Sequence, residues 1–209
     1  GGSLGAIFLV FSLVRTRQGE FPTAVLLLAG VTANFFFASL VMFIHYMADF
    51  RQSFTIIRWL MGGLNITDYN TILTLFPVVL LGISVLIFFS RDMNLISTGI
   101  HSASSRGVNV WKIQKIGFIT ASLITGAVVA ICGPIGFVGL IAPHIVRLYV
   151  GPDLRILIPA SALFGASFLV ICDTFARTLI APTEIPVGII TAMLGGPFFV
   201  WLLKRKRSV

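Results

Sequence analysis

Residues that could carry out chemistry are few in this sequence and far apart. His45, His101 and His144 have no Cys, Asp or Glu beside them at the spacing of metal ligands. Cys132 and Cys172 form no CxxC pair, and the apolar runs around them predict small buried side chains. The phosphate-binding, zinc-protease and serine-hydrolase motifs are also missing from the sequence. We therefore predict no catalytic residue and no metal site, and any ATP that the protein uses would be bound by another chain.

One pair of opposite charges lies within an apolar run. Asp173 and Arg177 are four residues apart, so on a helix they share a face in the acid-before-base order that favours an ion pair. An arginine near the end of a membrane helix can also reach water, where its guanidinium is suited to bidentate contact with a carboxylate. Both roles are open, and both need a helix around the pair.

The composition indicates the solvent around that helix. Hydrophobic residues make up 57% of the 209 residues and charged residues 11%, with a mean hydropathy of +1.02. Soluble domains have roughly 45–50% apolar and 25% charged residues. Because the apolar residues are gathered into long runs, the sequence predicts a polytopic membrane protein with lipid around much of its surface.

Apolar runs give the predicted spans, since crossing about 30 Å of hydrocarbon takes about 20 helical residues. The predicted spans are Phe21–Met47, Thr71–Ser90, Trp111–Cys132, the shorter Ile135–Val150, Ile156–Leu179 and Pro186–Leu203. The opening run Leu4–Val14 is too short to span and lacks signal-peptide features, so we expect it to be the tail of a helix that begins upstream. The predicted fold is an all-α, polytopic transmembrane bundle, with residues 1–209 as one membrane domain.

The basic residues agree with an alternating topology. If the basic tail at residues 204–207 is cytoplasmic, all Lys and Arg residues except Arg51, Arg58 and Arg177 fall on the cytoplasmic side. Topology therefore explains the net charge of +8 better than nucleic-acid binding does.

Residues 133–151, GPIGFVGLIAPHIVRLYVG, mix small residues with helix breakers. Glycine every third residue predicts patches where helices approach closely, and the prolines favour breaks: Gly133, Gly136 and Gly139 are the glycines, Pro134 and Pro143 the prolines. His144 and Arg147 would share a helix face, either as headgroup anchors or in contact with another subunit.

Several ordered motifs together resemble the permease subunits of the FecCD/BtuC family, the ABC importers for iron-siderophores, haem and vitamin B12. They are the segment GPIGFVGLIAPHIVRLYVGPD from Gly133, DTFAR from Asp173, EIPVG from Glu184 and LGGPFF from Leu194, with weaker matches at LAG from Leu28 and WLMG from Trp59. Such permeases typically have ten spans, so the chain resembles the C-terminal two-thirds of one.

The resemblance implies a set of partners and a location. A second permease subunit, identical or related, would complete a translocation path, two cytoplasmic ABC ATPases would bind ATP and Mg²⁺, and an extracytoplasmic binding protein would deliver substrate. This chain would carry no cofactor of its own. The expected location is the cell (inner) membrane of a bacterium or archaeon, with a cytoplasmic C-terminus. An ion-driven secondary transporter with broken helices is the alternative, and a membrane enzyme would leave His45 without a catalytic partner.

The resemblance also implies roles for particular residues. Residues 94–110 would form the cytoplasmic loop that couples to the ATPase, through Gly99, His101, Ala103, Arg106 and Gly107. Small residues at 99, 103 and 107 match the family's spacing, whereas Ile100-His101-Ser102 stand where acidic residues are common. A solvated serine-rich loop is the alternative. A bulky residue at 103 is expected to abolish transport while membrane insertion stays normal.

Three further groups follow from the resemblance. Arg177 matches a family arginine that receives a glutamate from the binding protein, and Asp173 would hold its guanidinium. Polar residues of the first span, Thr32, Asn34 and Ser39, are candidates for the translocation path, although Thr32 and Ser39 can also bond to their own helix. The expected helix-packing framework consists of Gly133, Pro134, Gly136, Gly139, Pro143, Gly195 and Pro197.

Overall fold

The regular secondary structure of the described part of the chain consists of α-helices. The computed structural model describes residue 5 and residues 23–65, 68–180 and 184–207. Over these ranges the helices are α1 Thr23–Met47, α2 Phe50–Leu60, α3 Tyr69–Phe88, α4 Ser90–Ser97, α5 Ile100–Ser105, α6 Val110–Cys132, α7 Val138–Val150, α8 Leu154–Thr178 and α9 Val187–Arg207. The predicted all-α fold is confirmed. Most of the run Leu4–Val14 lies outside the described residues.

Among the described residues, four helices are long and apolar enough to cross a membrane, namely those at 27–47, 69–88, 110–132 and 154–178. One of the predicted spans is shorter as a helix, because α7 has 13 residues, whereas α9 has 21. At 1.5 Å per residue α7 is about 20 Å long, against about 30 Å of hydrocarbon. The sequence therefore places the helices well, and it also predicts that the run forming α7 is shorter than the others.

Residues 133–137 explain why α7 is short. Gly133 has φ +69° and Phe137, just before α7, has φ +67°, so the chain leaves the right-handed helical region twice within five residues. A left-handed non-glycine residue costs on the order of 1–3 kcal/mol and persists only where its surroundings hold it. The ring of Phe137 lies against Gly195 and 6.1 Å from the Phe199 ring, measured between centroids. Packing on α9 thus holds the bend.

The helix break lies at only one of the two predicted prolines, Pro134, and the packing role of the three glycines stays a prediction. Pro143 lies inside a continuous α7, so the break occurs at residues 133–137 and not at Pro143. The three glycines also share no helix face, because only Gly139 belongs to a helix. A Cβ added to Gly136 or Gly139 would meet nothing within 4 Å, whereas Gly133 has no room for one. Of the expected packing glycines in the segment, only Gly133 makes a close approach within this chain.

The helices form two compact units, one of residues 1–56 and 77–127, the other of residues 57–76 and 128–209. In the first unit α3 approaches α6 closely, with Gly82 against Ile124. In the second unit α7 packs on α8 and α8 on α9, around buried residues that include Ile141, Leu157, Cys172, Ala176 and Val187. The prediction of a single domain stays a prediction.

Many large apolar side chains of the spanning helices remain exposed within this chain. Leu73, Leu163 and Val170 are 69%, 73% and 64% exposed, which for a soluble protein would be a large unstable surface. Lipid or a partner subunit is the environment in which such helices are stable.

Candidate functional site

The end of α8 carries a cluster of charged and polar side chains around Arg177. Its Nε atom donates to Oδ2 of Asp173 at 2.8 Å, as the four-residue spacing predicts. Its Nη2 atom donates to Oδ1 of Asn65 at 3.3 Å, and its Nη1 atom lies 3.6 Å from Oε1 of Glu184. The guanidinium is therefore engaged on all three nitrogens, by three parts of the chain.

Sequence reasoning missed Asn65 as a member of this cluster. Asn65 is 112 residues from Arg177, and no spacing rule connects positions so far apart. Glu184 belongs to the EIPVG motif, but nothing in that motif indicates that it faces Arg177. The cluster forms because the loop before α9 returns to α8, where the backbone N–H of Ile185 donates to the carbonyl of Ala176 at 3.2 Å.

The cluster opens onto a small cleft. Its walls come from α8, from the end of α2 with the following loop and from the start of α9, and they include Arg58, Gly62, Gly63, Leu64, Ile185, Pro186 and Val187. The enclosed volume of about 30 Å³ has room for one or two water molecules. A metal chelate does not fit into a cleft of this size.

Water reaches the charges of this cluster. The side chains of Arg177, Asp173 and Glu184 are 42%, 24% and 47% exposed. Exposed ion pairs contribute little to folding, because solvent and salt screen them. Surface charges of this kind are better suited to recognising a partner than to stabilising the fold.

Three glycines beside the cleft bring backbone against backbone, and we call Gly62, Gly133 and Gly188 the glycine clasp. A Cβ on Gly62 would lie 2.6 Å from the Pro134 carbonyl oxygen, and Cβ atoms on Gly133 and Gly188 would collide with the carbonyl oxygens of Trp59 and Met61. The clasp therefore joins the loop after α2 to the end of α6 and the start of α9.

Hydrogen bonds fix the clasp as well. The N–H of Gly63 donates to the Cys132 carbonyl at 2.8 Å, and the N–H of Gly188 donates to the Gly62 carbonyl at 3.3 Å. Only the WLMG motif from Trp59 hinted at this role for Gly62. The positions of glycines in a sequence do not show which loops and helix ends contact each other.

The predicted coupling loop, residues 94–110, contains the end of α4 and the whole of α5, and these two short helices pack on each other. Gly99, with φ +138°, precedes α5, and Gly107, with φ +81°, follows it. His101, Arg106 and Gly107 are exposed. Ala103 is only 1% exposed, so its side chain faces the interior of the loop and not a docking surface. A bulky residue at 103 would disturb the loop itself, which corrects the expected direct contact.

The candidate path residues on α1 do not share one face. Thr32 and Ser39, two turns apart, each donate to the carbonyl four residues earlier, at 2.9 Å. Asn34 lies two positions from Thr32, on the opposite side of the helix. Its side chain is exposed and makes no hydrogen bond to the described residues. Of the three, Asn34 is the residue whose polar group still needs a partner or water.

Within the described ranges, no three His, Cys, Asp or Glu side chains come together in a way that could hold a metal ion. Cys132 and Cys172 are free and buried. Nδ1 of His45 is shielded from water and has no hydrogen-bond partner in the part of the chain that the structure describes.

Several apolar helices of spanning length, with large apolar side chains exposed along them, define a polytopic helical membrane protein. The chain belongs to the FecCD transport family, whose model matches residues 1–205. The suspected family is thereby confirmed.

Named relatives match over nearly the whole chain. The sequence is 43% identical to the cobalamin import system permease protein BtuC of Halobacterium salinarum, over 98% of this chain and 54% of that protein. It is 38% identical to the hemin transport system permease protein HmuU of Yersinia pestis, over 99% of this chain and 61% of that protein. The chain thus spans just over half the length of these relatives.

A solved structure described as an inward-facing ABC transporter of the metal-chelate type is also similar. Its TM-score is 0.86 at 32% identity, and the match covers 96% of this chain and 64% of that chain.

Proposed function

We propose that this chain is part of a permease subunit of a binding-protein-dependent ABC importer for a metal chelate. The family match over residues 1–205 carries the proposal. In this account the chain lines a path and hydrolyses nothing. ATP and Mg²⁺ bind to two cytoplasmic ABC ATPase subunits, and a second permease subunit, identical or related, covers exposed apolar helix surfaces.

The chain is placed in the cell (inner) membrane of a bacterium or archaeon, with a cytoplasmic C-terminus. The distribution of Lys and Arg over the predicted loops supports this orientation. It puts α4 and α5 on the cytoplasmic side and the Arg177 cluster on the outer side. Both surfaces then face the compartments in which their proposed partners occur.

At the outer surface, Arg177 receives a carboxylate of the binding protein. Nε and Nη2 are held by Asp173 and Asn65, which leaves Nη1 with only the long contact to Glu184. A guanidinium has five N–H donors, so the N–H groups at the Nη1 end of Arg177 can still donate hydrogen bonds to a carboxylate of the binding protein. The ion pair and the docking role are therefore compatible.

At the inner surface, residues 94–110 contact the ATPase. The exposed side of α5, with His101 and Ser102, and the exposed Arg106 after it form the contact surface. Ala103 supports this surface from inside.

Along the path, Asn34 is the first candidate to face the aqueous side, because it alone of the α1 candidates lacks an internal hydrogen bond. Cysteine introduced at 34 is expected to react with a polar thiol reagent in the assembled complex. Cysteine at 32 is the matched control on the opposite side of α1, and equal failure of both positions to react contradicts this placement.

For the cargo, an iron-siderophore is our first candidate, because it is the commonest cargo of the family that the motifs resemble. Haem and cobalamin follow, and the names of the two relatives above include these chelates. A binding screen of the cognate extracytoplasmic protein against ferric siderophores, haemin and cobalamin distinguishes the three. Saturable binding of cobalamin or haemin alone would overturn the siderophore assignment and keep the importer.

The proposal that the protein is part of an ABC importer is tested by determining which energy source drives uptake. Uptake of the bound chelate by cells should stop when the partner ATPase is inactivated and continue when the ion gradient is collapsed with ATP maintained. The opposite pattern indicates an ion-driven secondary transporter and overturns the proposal.

A further inference from the structure

The hydrogen bond between Asn65 and Arg177 helps to fix the orientation of the arginine side chain. Asp173 holds the Nε edge at 2.8 Å, and Asn65 holds Nη2 at 3.3 Å. Two contacts on different nitrogens restrict rotation of a planar guanidinium about its long flexible stem. Glu184, at 3.6 Å from Nη1, is beyond hydrogen-bonding distance and restricts it less.

Asn65 can orient Arg177 only if its own backbone is held. It follows Gly62 and Gly63, which the glycine clasp ties to the end of α6 and the start of α9 through the hydrogen bonds to Cys132 and from Gly188. Gly62 is buried, and a Cβ added to it would lie 2.6 Å from the Pro134 carbonyl oxygen. Asn65 thus extends from a loop that is fixed two residues earlier.

The chemistry of the side chain also suits this role. An amide oxygen accepts a hydrogen bond without adding a negative charge. It holds the guanidinium while leaving its positive charge available, whereas a third carboxylate would compete with an incoming one.

We propose that Asn65 is a positioning residue, which turns the Nη1 edge of Arg177 toward the carboxylate of the docked binding protein. The inference rests on the proposed docking role of Arg177. Asn65 acts through Arg177 and does not itself contact the partner.

The test is a double-mutant cycle on the complete permease complex in lipid nanodiscs. The dissociation constant of the binding protein is measured for the unmodified complex, Asn65→Leu, Arg177→Ala and the double variant. Loss of one hydrogen bond predicts roughly threefold to tenfold weaker docking for Asn65→Leu. Because Asn65 acts through Arg177, the double variant should bind within about twofold of Arg177→Ala.

Asn70→Leu is the matched control, since Asn70 is exposed on the first turn of α3 and its side chain does not contact Arg177. It should leave docking unchanged. Thermal unfolding of each sample shows whether the complex is intact, and Asn65→Ser replaces the leucine variant if that one does not assemble.

Each outcome decides between the two proposals. Normal docking by Asn65→Leu, with weakened docking by Arg177→Ala, overturns the positioning role alone. Equal weakening by Asn65→Leu in the presence and absence of Arg177 also overturns it, because Asn65 would then act by another route. Normal docking by Arg177→Ala overturns the proposed docking role itself.

Discussion

Nε of Arg177 donates a hydrogen bond to Oδ2 of Asp173, 2.8 Å away and one turn earlier on α8. The pair is exposed enough for a partner to reach it, and it gives the cation a fixed direction. The proposed recognition of the binding protein would use the same arginine that forms this ion pair. A change in the charge of Arg177 should weaken docking if the residue binds the partner, and should reduce the amount of folded protein if the pair is only structural.

Reversing the charge at Arg177 should interfere with docking. Arg177→Glu places three carboxylates together, so an incoming glutamate is repelled, and we expect docking to weaken at least tenfold. A Glu→Arg change at the contacting position of the binding protein should restore part of the affinity. Affinity measured with both partners purified checks this. Normal docking with a reduced amount of folded permease would instead assign the pair a structural role only.

Removing the negative charge of Glu184, which competes with the partner's carboxylate for Arg177, should strengthen docking of the binding protein. Glu184→Gln takes a negative charge from the Nη1 edge of Arg177, so docking should tighten by about twofold to fivefold at low salt, the scale of an exposed ion pair. The difference should shrink as ionic strength rises. Asp68→Asn is the control, because it removes one exposed acid that does not contact Arg177. Weaker docking by Glu184→Gln would show that Glu184 assists the partner.

Alanine substitutions at Gly133, which belongs to the glycine clasp, and at Gly136, which does not, form a matched pair of variants. An alanine at 133 would have φ near +69° and a Cβ against the Trp59 carbonyl, so we expect at least about 1–3 kcal/mol of destabilisation. An alanine at 136 meets nothing within 4 Å and should be tolerated. Thermal unfolding of the detergent-solubilised complexes compares them. Equal stability of the two variants would contradict the clasp.

Two neighbouring positions of α5 separate docking from folding. Ser102 is exposed and Ala103 is 1% exposed, so tryptophan at 103 overpacks the loop and should reduce the folded yield, whereas tryptophan at 102 should not. Ser102→Trp should instead lower the ATP hydrolysis that the loaded binding protein stimulates. Normal stimulation in a well-folded Ser102→Trp complex would remove this face of α5 from the ATPase contact.

The sequence predicts those features that depend on local periodicity and run length. The run Trp111–Cys132 became α6 with a difference of one residue at its start, and the spacing of Asp173 and Arg177 correctly gave their ion pair. Long apolar helices are favoured by the membrane itself, and an i,i+4 pair needs only a helix. These predictions required no knowledge of the tertiary structure.

Local sequence patterns could not predict features that depend on tertiary contacts of loops or on which side of a helix a residue faces. The contact between Asn65 and Arg177 exists because the glycine clasp brings a loop back to α8, and no local signal encodes it. Small-residue spacing did not reveal that Ala103 faces inward, since residues at 99, 103 and 107 share a face only in a continuous helix and α5 ends at Ser105. A Cβ on Gly136 or Gly139 would meet nothing within 4 Å among the described residues, so packing of these glycines on a partner subunit stays a prediction.

The central proposal is tested most directly in proteoliposomes that hold the full-length permease with its ATPase partners, with loaded binding protein outside and ATP enclosed. Accumulation of the radiolabelled chelate is measured with ATP, with a non-hydrolysable ATP analogue, and with an imposed proton or sodium gradient in place of ATP. The account predicts accumulation with ATP only, and its loss when the binding protein is omitted. Accumulation driven by the ion gradient without ATP would contradict it.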